Sequence, residues 1–185
     1  MFRRPWQVTP GTALLPLRIF LGVTFVYAGF QKLADPNFLE PGKPTYIGTQ
    51  LHGFAAGTPG GFLLRWFAEP FPALSGLGVA VIEIGIGLLV GFGLFTRWAA
   101  VGGLALNMLL YLTASWNTYP YFLGSDIVFV FAWLPFVLAG AAGQPSLDGY
   151  IEAKEHERAE QERRRLRKTG RQVAIHGGEA ARAAA

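Results

Sequence analysis

ALSGLGVAVIEIGIGLLVGFGLF, the run from Ala73 to Phe95, decides the fold class. Apart from Ser75 and one charge, Glu83, it is apolar or glycine throughout. A helix rises 1.5 Å per residue and the hydrocarbon core of a bilayer is about 30 Å thick, so roughly 20 such residues cross it. The run is too long for a membrane strand and does not alternate. Backbone in lipid must satisfy its own hydrogen bonds, which leaves a helix.

Three further stretches read the same way: Ala13 to Leu33, Trp98 to Ser115, and Gly124 to Ala142. The chain is therefore read as an all-α integral membrane protein, a four-transmembrane-helix bundle within residues 13–142. Residues 1–12 form a short N-terminus and residues 143–185 a charged tail. Arg18 interrupts the first apolar stretch, so that stretch is read as a retained span rather than a cleaved signal.

Composition agrees. Hydrophobic residues make up 51 % of the 185, and charged residues 15 %, against about 25 % in soluble domains. There is no Cys, which excludes disulfides, thiol relays, iron–sulfur clusters and covalently attached haem in this chain. The three His lie outside the four stretches, which argues against a bis-His haem. No metal-ligand or flavin motif is visible, and no nucleic-acid partner is expected.

Sixteen of the 28 formal charges fall in residues 143–185. Before that boundary, Arg3, Arg4 and Arg97 lie on one side of the bundle, while the opposite loops hold only Lys43 and Arg65. The Lys/Arg bias predicts a multi-pass plasma-membrane protein with both termini cytoplasmic. The loop from Ala34 to Pro72 has seven aromatics and is expected to cap the bundle or lie on the bilayer surface, with a short helix over Phe62 to Phe67. In the tail, Ser146 and Asp148 signal a helix start and Gly170 a stop near residue 169, followed by disorder. This charged cytoplasmic helix is read as solvated, and its Arg163–Lys168 cluster can touch anionic lipid head groups.

Ionisable groups inside a span are expensive and so mark candidate sites. Arg18, Gly22, Phe25, Gly29 and Lys32 share one stripe of the first helix. Glu83 lies near the bilayer centre, with Gly76, Ala80 and Gly87 on its stripe. Side chains lean toward a helix's N-terminus. The Lys32 and Glu83 tips therefore converge from antiparallel helices, with Asp126 at similar depth. Lys32, Glu83 and Asp126 form the candidate catalytic cluster. Asn107 is read chiefly as interhelical glue and Asp126 equally as a first-turn acid. Pro135 predicts a kink beside Trp133, where a gap could take a flat ligand.

Several stretches resemble the DoxD/DoxX family: LRIFLGVTFVYAGFQKLADP (Leu17 to Pro36), PTYIGTQLHGFAAGTP (Pro44 to Pro59), EIGIGLLVGFGLFTRWAA (Glu83 to Ala100) and TASWNTYPYFLGSDIVFVFAWLPFVLAG (Thr113 to Gly140). The resemblance covers about residues 12–150 and finds no counterpart for the tail. It implies the membrane subunit of a thiosulfate:quinone oxidoreductase, a quinone as diffusible acceptor, and a second oxidoreductase subunit or soluble redox partner.

A quinone site needs an apolar slot with a few polar groups, which Glu83, Asn107, Tyr111 and Trp133 could form. Thiosulfate is a dianion, and Lys32, Arg65, Lys43 and His52 are the cationic candidates on the outer face. Two other readings stand beside the redox subunit. One is a non-catalytic scaffold that recruits a soluble redox partner through the tail or outer loop. The other is a small proton-coupled transporter carried by Glu83, for which the usual internal repeat is absent.

Overall fold

The computed structural model describes residues 10–161, and these contain helices and no strand. A short turn, α1 (Pro10–Ala13), leads into α2 (Leu15–Ala34). Then come α3 (Ile47–Ala55), α4 (Gly61–Leu63) running into a π-helical turn (Leu64–Ala68), α5 (Pro72–Phe92), α6 (Thr96–Tyr111), a 3-10 turn (Tyr121–Leu123) and α7 (Ser125–Ala139). The segments Gly11–Ala34 and Pro72–Phe92 are long and apolar enough to cross a membrane, while Ser125–Ala139 is apolar but shorter.

The helix ends follow local chemistry. Pro72 opens α5, where a missing N–H costs nothing. Gly93 closes it at φ 70°, in the left-handed region, and the Leu94 N–H reaches back to the Leu89 carbonyl at 2.8 Å. α6 stops at Tyr111, earlier than the apolar run suggests. There the Thr113 hydroxyl donates to the Leu109 carbonyl at 2.7 Å, and the chain turns away. α7 starts only at Ser125.

α2 packs on α5, α5 on α6, and α6 on α7. Leu21 and Phe25 of α2, Ile86 and Val90 of α5, Ala99 and Ala100 of α6, and Trp133 and Phe136 of α7 bury one shared core. The α2–α5 contact is backbone on backbone. A Cβ added at Gly22 would stand 2.9 Å from the Gly91 Cα, and one at Gly87 would stand 2.7 Å from the Gly22 carbonyl oxygen. Only glycine permits that approach. Across α6 and α7, Gly103 leaves room for the Trp133 indole. Trp133 is wholly buried, with its ring edge-on to Phe25 at 4.9 Å.

Each end of the bundle is tied. At the end where α5 finishes and α6 begins, Arg97 donates to the Val137 carbonyl at 3.0 Å and to the Leu138 carbonyl, capping the negative end of α7. Arg18, on the interior-facing stripe of α2, is 3 % exposed and donates to the Pro145 carbonyl at 2.6 Å. At the opposite end, Phe38, Ile47, Leu51, Ala55 and Leu64 form a small core of their own. Ile47 and Phe38 rest against Gly76 of α5, and the Gly60 N–H bonds the Leu112 carbonyl at 3.0 Å. The stretch between α2 and α5 is therefore a folded cap rather than a loose loop. It carries a helix, α3, that the sequence reading left as loop.

Residues 147–161 form a helix within a second unit. It is exposed along nearly its whole length, and Lys154 stands over the Tyr150 ring at 5.8 Å. The Arg163–Lys168 cluster, the stop at Gly170 and the disordered end fall outside the described residues, as do residues 1–9.

Candidate functional site

The glycine contacts that draw α2 and α5 together also bring their charged groups face to face. The Lys32 ammonium donates to both Glu83 oxygens, at 2.8 and 2.7 Å, and reaches the Ala28 carbonyl at 3.4 Å. The pair is lopsided in exposure: the Glu83 side chain is 6 % exposed and Lys32 31 %. One partner is thus held inside and the other opens outward. In an apolar setting a lone carboxylate would be costly, and the ammonium offsets that cost.

A second polar chain crosses α6 and α7. The Trp133 indole N–H donates to the Asn107 side-chain oxygen Oδ1 at 2.8 Å. The Asn107 amide donates to Asp126 at 3.3 Å, and the Ser115 hydroxyl donates to the other Asp126 oxygen. Asn107 is buried, so both ends of its amide are satisfied within the fold. Asp126 lies within electrostatic reach of Glu83. Lys32 and Glu83 are therefore in direct contact, while Asp126 joins them through its field and bonds to α6 instead.

The other sequence candidates are placed as follows. Tyr111 is half-buried, with its ring against Trp116 at 6.0 Å. Trp133 and Asn107 are interior. Arg65 donates to the Ala55 carbonyl at 2.7 Å, and His52 stands 3.6 Å from Glu69, both in the cap. Lys43 is exposed near Glu40, at 4.0 Å. Ser115 was not singled out by sequence reasoning. Its signal was only its place in ASWNTYP, just past the end of α6.

Chemically, a half-open ammonium on a buried carboxylate offers a hydrogen-bond donor to a carbonyl or oxyanion, with a proton acceptor 2.7 Å behind it. Apolar helices packed around such a polar centre fit the class of helical membrane proteins. The match to known families then narrows this class. The family described as TQO small subunit DoxD matches residues 13–169, and the chain belongs to that family. The match runs past residue 150, where the resemblance seemed to end, and takes in the described helix over 147–161. No solved structure matches this chain.

Proposed function

We propose that this chain is the membrane-embedded small subunit of a thiosulfate:quinone oxidoreductase and that quinone is handled at the Lys32–Glu83 pair. The family is named for such a subunit, and the ion pair carries the reading. In this reaction two thiosulfate ions join through a new S–S bond and release two electrons. The quinone takes up those electrons and two protons to become a quinol. Lys32 donates a hydrogen bond to a quinone carbonyl, and Glu83 holds and passes a proton, with Asp126 biasing the pair through its charge. Asn107 and Trp133 keep α6 and α7 in register, and Tyr111 is the further group assigned to the quinone ring. Lys32, with Arg65 and His52 in the cap, supplies the positive potential that draws the dianion.

In this reading α2, α5, α6 and α7 all span the plasma membrane, both termini face the cytoplasm, and a second subunit completes the enzyme. Purified protein with its partner, in lipid, should reduce a soluble quinone analogue when thiosulfate is added. Glu83→Gln should lower turnover by at least tenfold, about 1.4 kcal/mol of barrier. Full turnover in a folded Glu83→Gln protein would remove the assigned role.

A second reading is favoured by the exposure of the helix over 147–161, which offers a polar surface to a soluble redox partner. Deleting residues 147–185 should then release that partner from membranes. Identical partners pulled down with full-length and truncated protein would count against recruitment through the tail.

A further inference from the structure

The cap between α2 and α5 has two unlike faces. On α3 the exposed residues are polar or small, among them Thr49, His52 and Gly53. No large apolar side chain between Leu39 and Phe62 is exposed. The stretch that follows is the reverse. Phe62, Trp66, Phe67 and Phe71 are all exposed, Trp66 at 78 % and Phe67 at 75 %.

The side chains of this stretch are sorted. Leu64 is buried in the small core with Ile47, Leu51 and Ala55. Both charged residues bond toward α3. The Arg65 guanidinium donates to the carbonyl of Ala55, the last residue of α3, at 2.7 Å, and a Glu69 carboxylate oxygen lies 3.6 Å from His52 Nδ1. The charges are held on the α3 side, and the aromatic rings are what the stretch leaves uncovered.

Two observations say what covers those rings. The first is continuity. Phe71 directly precedes α5, and Leu74, Leu77 and Val81 carry the exposed apolar surface on at steps of three and four. That helix is long and apolar enough to cross a membrane. The second is spacing. Beyond the other end of α5, Phe92, Phe95 and Trp98 are exposed as well. α5 has 21 residues, which sets the two aromatic groups roughly 31 Å apart. The hydrocarbon core is about 30 Å thick, and aromatic rings gather at its two interfaces. A soluble partner on the cap would account for neither the shared stripe nor the spacing.

We propose that the segment from Phe62 to Phe71 is an interfacial anchor whose partner is lipid. Trp66, Phe67 and Phe71 sit at the boundary of head groups and acyl chains in the leaflet on the cap side, while the exposed side of α3 stays in water. The anchor is tied to α3 through Leu64 and Arg65, and α3 rests on α5 where Ile47 meets Gly76. Seating these rings in the interface therefore fixes how the cap sits over α5. This requires only a bilayer around α5 and does not depend on the quinone reading.

The sequence has no Cys, so single labels report single positions. Phe67→Cys and Thr49→Cys, each carrying a nitroxide, are compared in the full chain, extracted with its surrounding lipid and any bound partner into native nanodiscs. Collision with oxygen, which concentrates in lipid, is measured against collision with a water-soluble nickel chelate. The oxygen-to-nickel ratio should be at least fivefold higher at Phe67 than at Thr49. Equal ratios would put the aromatic face in water, and a Phe67 label shielded from both reagents would put it under protein; either result overturns the proposal. A second pair guards against a variant that does not fold. A bimane on Phe71→Cys should be quenched by phosphatidylcholine brominated high on its acyl chain, at least threefold more than a bimane on Thr49→Cys. Equal quenching of the two would overturn the anchor.

Discussion

Removing Lys32 alone strands a carboxylate that is 6 % exposed, whereas removing both charges strands nothing. Breaking a buried pair from one side costs about 3–5 kcal/mol, and the partial exposure of Lys32 lowers that to about 2 kcal/mol here. Lys32→Met should therefore melt well below wild type in matched detergent, and Lys32→Met/Glu83→Gln should melt above Lys32→Met. A double variant less stable than the single one would mean that the pair does not carry this energy. Trp133→Phe keeps most of the ring but leaves the Asn107 oxygen unpaired and buried, at a cost of about 1–3 kcal/mol, read as a lowered Tm. At this scale the sequence was legible where helix periodicity decides the outcome. Lys32 and Glu83 were expected to converge because their side chains lean toward each other from antiparallel helices. Ser115 was not legible, because its bond to Asp126 depends on how the chain returns after α6. The partner of Arg18 was not legible either, because its acceptor, the Pro145 carbonyl, lies beyond the last helix of the bundle.

Between elements, glycine placement determines which helices touch. Gly22→Val forces side-chain atoms into the backbone of α5 and should abolish a cooperative melt or lower Tm sharply. Gly91→Ala meets no such obstacle and should leave Tm equal or higher, by up to about 1 kcal/mol of helix preference. Equal damage from the two substitutions would contradict the packing described for α2 and α5. The stripe of Gly22, Gly29 and Lys32 could be read from steps of three and four. The cap was harder. Ile47, Leu51 and Ala55 do recur at steps of four, but the helix has only 9 residues, and Pro41, Pro44 and Pro59 around it read as loop. α6 and α7 came out shorter than their apolar runs because Thr113 and Gly140 set their C-terminal ends, and hydropathy does not register such turns.

For the whole molecule, the Cys-free sequence makes topology directly measurable. Single cysteines at Ala56 and Thr118 should react with an impermeant maleimide added to intact cells. Cysteines at Ala13 and Ala142 should react only after the membrane is opened. Labelling of all four from one side would contradict the four-span orientation. The fold class was legible from Ala73 to Phe95 alone, because length and apolarity leave few alternatives in lipid. The proposed activity is less so, because its substrates leave no periodic trace in this chain. The most direct measurement is thiosulfate-dependent quinone reduction by the protein co-purified with its partner, in lipid, for wild type and Glu83→Gln side by side. The account predicts turnover in wild type and a loss of at least tenfold in a folded, partner-bound Glu83→Gln protein. Equal turnover in the two, or none in an intact wild-type complex, would contradict it.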